Sequence, residues 1–153
     1  MRPAERDDVR AMLAEAYQQY AKVMPPEVFG RYLGGVLETG EGRQLVAVDG
    51  DEILGGTRLY LPGSPTVRLP PDWAWVRAVG VAPSARGTGV AREIMAYCAE
   101  NAGGATALAL HTLDFMPAAI RLYERLGYER APEYDFPAGR GSFTAIAYRL
   151  PLR

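Results

Sequence analysis

The sequence is poor in the residues that build disulfides and metal sites, since it holds one cysteine and one histidine in 153 residues. Cys98 has no partner for an intramolecular disulfide. It falls inside a predicted amphipathic helix, where a buried and inert thiol is expected. We therefore predict neither a disulfide framework nor a metal centre.

The sequence also lacks an excess of charge and any apolar run long enough to span a bilayer. A net charge of −1 gives no reason to expect nucleic acid or an anionic membrane as partner. No signal-peptide pattern is visible, so a cytoplasmic location is expected. The length and the ordinary composition predict a single domain over residues 1–153.

Segments with helical spacing of apolar residues alternate with short runs typical of strands. The predicted helices cover about 9–20, 27–37, 90–101 and 117–126, and the apolar stripe of the third is Val90, Ile94, Tyr97 and Cys98. The predicted strands cover about 45–48, 53–61, 73–81, 105–112, 128–130 and 143–150. This order predicts a mixed α/β (α+β) domain, with helices packed on a largely antiparallel sheet.

One strand runs through a glycine-bearing turn directly into a helix, over Val79 to Ala91. Gly87 and Gly89 allow close approach of the backbone to a ligand, and the start of the helix favours an anion such as a pyrophosphate. Arg86 either adds positive charge or simply closes the turn. The pattern alone also fits an ordinary strand-to-helix turn. It lacks the third glycine of the dinucleotide fingerprint and the Gly-Lys-Ser/Thr of the Walker loop.

Together with later residues, this stretch resembles the GNAT acetyltransferase superfamily. The resemblance rests on Val79-Gly80-Val81-Ala82-Pro83, Arg86-Gly87-Thr88-Gly89-Val90-Ala91, Ala119, Leu122-Tyr123 and Leu126-Gly127-Tyr128. The order of elements fits over essentially the whole chain, although the first strand is almost absent before Arg6. The resemblance implies a GNAT-like sheet with helices on both faces and splayed strands at the cofactor site.

The same resemblance implies an N-acetyltransferase that moves an acetyl group from acetyl-coenzyme A to a primary amine by direct attack in a ternary complex. Tyr123 matches the tyrosine that protonates the departing thiolate. A phenol with a pKa near 10 can protonate a thiolate whose thiol has a pKa near 8.5 only if it is positioned or tuned. The residues implied in cofactor binding are Val79, Gly80, Val81, Arg86, Gly87, Thr88, Gly89, Val90 and Ala91.

The sequence departs from the family at two positions. Trp75 stands where many members carry a glutamate that acts as general base, and Met116 stands where many carry an asparagine. Either water and backbone carbonyls remove the proton, another carboxylate does so, or the amine arrives neutral. The candidate carboxylates are Asp72, Asp114 and Asp135, and His111 is either a base or a structural residue.

Strand alternation places Trp73, Trp75, Arg77 and Val79 on one face of their strand. This face either lines an acceptor cleft, with Arg77 holding a carboxylate, or faces solvent or a second copy in a homodimer. Further residues predicted to line the cleft are Tyr17, Tyr20, Tyr32, Tyr134, Asp135 and Arg140.

The expected partner is the amine of a small molecule or peptide. A non-catalytic module that binds acyl-coenzyme A as a sensor or assembly partner is the alternative. The strand order and the missing third glycine argue against a dinucleotide-binding oxidoreductase. The sequence does not identify the acceptor, the general base, the oligomeric state or whether the acyl group is larger than acetyl.

Overall fold

The computed structural model describes residues 3–37, 42–64, 69–138, 141 and 143–152. Its helices are α1 (Pro3–Tyr17), α2 (Pro26–Leu37), α3 (Val90–Glu100) and α4 (Pro117–Arg125). Its strands are β1 (Arg43–Asp49), β2 (Glu52–Tyr60), β3 (Trp73–Val81), β4 (Ala107–Leu113), β5 (Glu129–Arg130), β6 (Phe136–Ala138) and β7 (Phe143–Pro151).

The seven strands of the described chain form a sheet in the order β1-β2-β3-β4-β7-β5, and β6 also pairs with β7. β3 and β4 are parallel, whereas β4, β5 and β6 all pair with β7 in the antiparallel sense. The predicted fold class, a mixed α/β fold with a largely antiparallel sheet, is confirmed.

The chain divides into two compact units, and the first comprises Met1–Arg58 and Ala78–Tyr97. Within it, the apolar residues that recur at helical spacing along α1 are buried: Val9, Met12, Leu13, Ala16 and Tyr17. Gly55 of β2 lies where a Cβ would come within 2.9 Å of the carbonyl oxygen of Gly80 and 3.0 Å of Val90 Cγ1. The absence of a side chain at Gly55 therefore allows β3 and the start of α3 to pack closely on β2.

The second unit comprises Leu59–Arg77 and Cys98–Arg153. Within it, β4 is buried at every position but His111, as expected for a strand with neighbours on both sides. Its antiparallel register with β7 runs from Ala107↔Pro151 to Leu113↔Ala145. Its parallel register with β3 covers three pairs, from Trp73↔Ala107 to Trp75↔Ala109, so pairing ends early along β3.

Two details differ from the sequence prediction. Tyr97, assigned to the buried stripe of α3, is 50% exposed, and Met95 is buried in its place. The other three stripe residues are buried, so the predicted face is kept and extends toward Met95 instead of Tyr97. The loop after β5 also holds the short strand β6, which was not predicted and has Pro137 as its central residue.

Candidate active site

The glycine turn, residues 86–89, joins the short 3₁₀ helix Pro83–Ala85 to the start of α3. Gly87 and Gly89 have φ values of +77° and +89°, in the region where a residue with a Cβ is strained. Beyond its chain neighbours, a Cβ at either position would meet no described atom within 4 Å. Backbone conformation alone therefore requires glycine here, and both residues are open to a ligand that approaches the backbone.

The N–H groups that open α3 have no acceptor within the helix. Its first hydrogen bond runs from Glu93 N to Gly89 O, at 3.1 Å. The N–H groups of Val90, Ala91 and Arg92 precede that bond and so lack an intrahelical carbonyl. Together with the positive end of the helix dipole, they favour a bound anion.

The side chains of Thr88 and Val90, in and beside this turn, contact other residues of the chain. Thr88 donates to the carbonyl of Ala85 from both its backbone N and its Oγ1, which closes the turn. The side chain of Val90 is buried and points toward Gly55 of β2. Only the backbone of Val90 is therefore available to a ligand.

Arg86 reaches across to the end of α1. Its Nη2 donates to the carbonyl of Ala16 at 3.0 Å, where a cation is favoured by the negative end of the helix dipole. Burial raises the pKa of Tyr20, and the positive charge of Arg86 opposes that rise. The side chain of Arg86 thus tethers the glycine turn to the end of α1, and its contact with phosphate stays a prediction.

β3 is kinked at the residues assigned to the cofactor. Ala78 has a φ of +59°, which is rare for a residue other than glycine and interrupts the regular alternation of the strand. The next residue, Val79, accepts a hydrogen bond at 2.8 Å from the hydroxyl of Tyr17 on α1. A Cβ on Gly80 would lie 2.7 Å from Leu13 Cδ2, so α1 packs directly on this backbone. Tyr17, predicted as part of an acceptor wall, therefore also engages the predicted cofactor strand.

The structure brings three N-terminal tyrosines together as a tyrosine cluster, defined as Tyr17, Tyr20 and Tyr32. The ring of Tyr17 lies 5.8 Å from that of Tyr20 and 5.9 Å from that of Tyr32, both tilted. This juxtaposition agrees with the predicted grouping, and its role toward an acceptor stays a prediction.

In the second unit, the aromatic residues of β3 are covered by other rings. Trp75 stacks on Tyr60 of β2, with centroids 3.8 Å apart and planes 7° apart. Trp73 meets Tyr134 edge to face at 5.2 Å, so two residues predicted for the acceptor site are in contact. The side chain of Arg77 is exposed.

His111 is held by the segment that carries Tyr134. Its Nε2 lies 2.9 Å from the carbonyl oxygen of Tyr134, and its ring meets Phe136 edge to face at 4.9 Å. A carbonyl only accepts, so Nε2 carries the proton in this contact. These contacts favour the structural role for His111.

The three carboxylates predicted as candidate bases differ in the number of hydrogen bonds that they accept. Asp135 accepts from both nitrogens of the Arg130 fork, at 2.9 and 2.7 Å, and from the N–H of Ala147 at 2.7 Å. The hydrogen bonds from Arg130 hold the pKa of Asp135 below its usual value, with the Ala147 N–H acting in the same direction. Asp72 accepts from Thr106 Oγ1 at 2.7 Å, and Asp114 is exposed. Asp135 is thus a structural acceptor and a poor base.

Tyr123 lies in the last turn of α4, and the way this helix ends accounts for the glycine and tyrosine that follow it. Gly127 has a φ of +92°, its N–H donates to Glu124 O, and the N–H of Tyr128 donates to Tyr123 O. This is the Schellman motif, which ends a helix at a left-handed glycine. The apolar contact that accompanies the motif is made by the rings of Tyr123 and Tyr128, 5.8 Å apart. Tyr123 itself is 6% exposed.

Some features of the site were not predicted. The kink at Ala78 cannot be recognised in the sequence, because alanine does not favour a positive φ. The hydrogen bond from Tyr17 to Val79 cannot be recognised either, because the two residues are 62 positions apart. Tyr60 was predicted to lie in a strand, but it belongs to no motif that would mark it as a site residue. Met116 is buried at the start of α4, and Arg140 lies outside the described residues.

Among the described residues, no group of three or more histidine, cysteine, aspartate or glutamate side chains could hold a metal ion. Within the same residues, no helix is both long and apolar enough to cross a membrane.

Comparison with known proteins places these features in a family. A model of the acetyltransferase (GNAT) family matches residues 6–128, and no curated protein matches the chain. Many solved structures share the fold. A GCN5-related N-acetyltransferase from Kribbella flavida is 22% identical, with a TM-score of 0.66 over 99% of this chain and 95% of that one.

Two further structures have similar folds at lower identity. The ribosomal-protein-S18-alanine N-acetyltransferase of Escherichia coli is 17% identical, with a TM-score of 0.68 over 99% of this chain and 90% of that one. An N-acetyltransferase from Staphylococcus aureus is 13% identical, with a TM-score of 0.68 over 97% of both chains. Members of the matched family are acetyltransferases that generally use acetyl-coenzyme A. The chain belongs to the GNAT acetyltransferase family.

Proposed function

We propose that the protein is an N-acetyltransferase that moves an acetyl group from acetyl-coenzyme A to the primary amine of a small molecule or peptide. The observation that carries this proposal is the glycine turn, where two left-handed glycines precede N–H groups of α3 that lack an intrahelical acceptor, in a chain of this family. The pyrophosphate of coenzyme A is the anion proposed to bind there.

The backbone of Val79 to Val81 would bind the pantetheine arm, and one of its N–H groups would stabilise the oxyanion of the tetrahedral intermediate. The carbonyl of Val79 already accepts from Tyr17, so an amide of the arm would use another backbone group or compete with this phenol. The residues proposed to bind the cofactor are Val79, Gly80, Val81, Arg86, Gly87, Thr88, Gly89, Val90 and Ala91.

In the proposed reaction the amine nitrogen attacks the thioester carbonyl carbon, and the carbon–sulfur bond breaks. Tyr123 gives its hydroxyl proton to the departing thiolate and recovers a proton from solvent. The proton lost by the amine goes to water. Both substrates are bound before transfer, so no acetyl group is attached to the protein.

The acceptor proposed here has an amine whose neutral fraction near pH 7 is about a tenth or more, far above that of a lysine side chain. Trp75 cannot accept a proton, and Asp135 is engaged by Arg130. Without a strong base, an α-amine with a pKa near 7.7–8.0 reacts more readily than a lysine side chain near 10.4. Trp75, Arg77, Tyr17 and Tyr134 are each proposed as a contact for the acceptor, with Arg77 binding a carboxylate.

Calorimetric titration with acetyl-coenzyme A tests the cofactor site. The Gly89→Glu variant should lose binding, because a carboxylate at the start of α3 blocks and repels the pyrophosphate. Gly104→Glu is the matched control, since this exposed glycine has a φ of +78°, has no described atom within 4 Å of a Cβ, and follows the other end of α3. If wild type and both variants bind equally, or if wild type does not bind, the proposal is wrong.

A non-catalytic acyl-coenzyme A module is the second candidate, favoured by the Trp75–Tyr60 stack at the position where many members carry glutamate. The two are separated by thiol release from acetyl-coenzyme A with L-alanine amide, Nα-acetyl-lysine and spermidine. An enzyme should acetylate at least one amine, and Tyr123→Phe should lower kcat more than cofactor affinity. Binding with no turnover in the panel favours the module.

We also propose a cytoplasmic protein with no dedicated nucleic-acid or membrane partner, supported by its near-neutral charge. A homodimer is proposed as well. Sedimentation equilibrium measures the mass in solution, and a monomer at all concentrations would contradict it.

A further inference from the structure

The hydroxyl of Tyr128 is buried without a hydrogen-bond partner among the described residues. The side chain is 5% exposed, so water outside the protein does not satisfy it. Buried hydroxyls are nearly always paired, and an unpaired one reduces stability because its desolvation is not compensated. A phenylalanine would fill the same space without this penalty. We therefore expect the hydroxyl oxygen to have a role other than stabilising the folded state.

The surroundings of Tyr128 point to Tyr123. The Schellman motif at the end of α4 fixes the two residues relative to each other, with the N–H of Tyr128 bonded to the carbonyl of Tyr123 at 3.0 Å. Their rings meet edge to face at an interplanar angle of 61°, with centroids 5.8 Å apart. Tyr123 is the residue proposed to protonate the leaving thiolate.

The titratable groups that act on Tyr128 are Tyr123 from α4 and Cys98 from α3. Glu124 of α4 accepts instead from the hydroxyl of Tyr148 on β7, and Arg130 of β5 lies over the ring of Tyr148. No described carboxylate or cation is therefore paired with the Tyr128 hydroxyl.

Tyr128 remains a proton donor at neutral pH. Burial raises its pKa, and Tyr123 and Cys98 raise it further. Burial also raises the pKa of Cys98 to about 11, so this neighbour stays an uncharged thiol. A protonated phenol in such surroundings donates a hydrogen bond to any negative oxygen that forms nearby.

We infer that Tyr128 is a positioning residue whose hydroxyl donates a hydrogen bond to the phenolic oxygen of Tyr123 while that oxygen gives up its proton. The inference rests on the proposed acetyl transfer. No proton leaves Tyr128. The proton of Tyr123 goes to the thiolate, and the bond from Tyr128 stabilises the phenolate that remains until solvent returns a proton.

This bond addresses the weakest step of the proposed reaction. A phenol near pKa 10 is a poor acid toward the thiolate of a thiol near pKa 8.5. A hydrogen bond to the anionic oxygen stabilises the product of proton transfer more than its reactant, so it accelerates the step. The oxygen of Tyr128 is then unpaired only in the resting state.

The test is Tyr128→Phe, assayed by thiol release from acetyl-coenzyme A with the fastest amine of the panel above. We expect kcat to fall about tenfold, as for one hydrogen bond to a charged oxygen, with little change in KM for acetyl-coenzyme A. The high-pH limb of kcat should move to higher pH, because Tyr123 loses the bond that favours its ionised form. The urea midpoint of unfolding should rise, since the unpaired hydroxyl is gone.

Tyr148→Phe is the matched control. Tyr148 is also a buried tyrosine, but its hydroxyl is paired with Glu124 at 3.3 Å. Its variant should lower the urea midpoint and leave the pH profile of kcat unchanged. A purely structural role for Tyr128 would change stability without changing that profile.

The double variant Tyr123→Phe/Tyr128→Phe separates this inference from the proposed function. If Tyr128 acts through Tyr123, the double variant should be as slow as Tyr123→Phe alone. If the two substitutions lower kcat additively, the inference about Tyr128 is wrong and the proposed function is unaffected. The same holds if Tyr128→Phe has a normal kcat and pH profile while Tyr123→Phe is slow. If Tyr123→Phe keeps full activity, the acid role of Tyr123 itself is wrong.

Discussion

At the residue scale, single side chains hold the candidate cofactor strand in its kinked shape. The phenol of Tyr17 engages Val79, one residue beyond the positive φ of Ala78, and Gly80 leaves room for α1 to pack against the strand. Unusual backbone conformations persist where surrounding contacts over-determine them, and they are concentrated at functional sites. The contacts from α1 supply that support here.

Tyr17→Phe should therefore destabilise the protein. The variant keeps the buried ring but leaves the carbonyl of Val79 without its donor, at a cost of about 1 kcal/mol. Urea unfolding followed by circular dichroism measures the change.

Tyr134→Phe is the comparison for this variant. Tyr134 is half-buried and its hydroxyl makes no hydrogen bond to the described residues, so the urea midpoint should match that of wild type. Equal midpoints for all three proteins would show that the Tyr17 bond contributes nothing to stability.

At the element scale, the ends of helices carry much of the family pattern. Leu126-Gly127-Tyr128 ends α4 in a Schellman motif, so the later part of the motif has a structural reason besides any catalytic one. The glycine turn similarly begins α3 with residues that only glycine adopts easily.

Gly127→Ala and Gly30→Ala should change stability in opposite directions. Alanine at the left-handed position of Gly127 costs about 1–2 kcal/mol, although its Cβ would meet only Leu150 Cδ1 at 3.7 Å. Gly30 lies within α2 with no described atom within 4 Å of a Cβ, so alanine there gains about 0.5–1 kcal/mol of helix stability. Thermal unfolding of both variants tests the pair, and a stabilised Gly127→Ala would contradict the capping geometry.

At the scale of the whole molecule, the ion pair between Arg130 and Asp135 links stability to pH. The pKa of Asp135 is lowered in the folded state, first by Arg130. A lowered folded pKa contributes stability that is complete above the unfolded value of about 3.9. That contribution is lost as pH falls through the folded pKa.

Asp135→Asn should be less stable than wild type at pH 7 and should approach wild type as the pH falls below about 4. Urea unfolding at a series of pH values measures this convergence. Asp114→Asn is the control, because Asp114 is exposed and forms no ion pair with the described residues. A difference between Asp135→Asn and wild type that stays constant with pH would show that the carboxylate charge is not the cause.

The sequence by itself determined the elements and the family. Local signals set the bounds of β3, the start of α3 at Val90 and the start of α4 at Pro117, all found in the structure. These depend on neighbouring residues: apolar spacing, glycine after a strand, and proline at the first turn of a helix. The same stretches carried the resemblance that the family match confirmed.

The tertiary structure alone decided what the site residues touch. Arg86 reaches the carbonyl of Ala16, Tyr17 reaches Val79, and Trp75 is covered by Tyr60. It also left the Tyr128 hydroxyl unpaired beside Tyr123. Each of these pairings depends on how side chains from different elements pack, and the spacing of residues along one element carries no information about its partner in another.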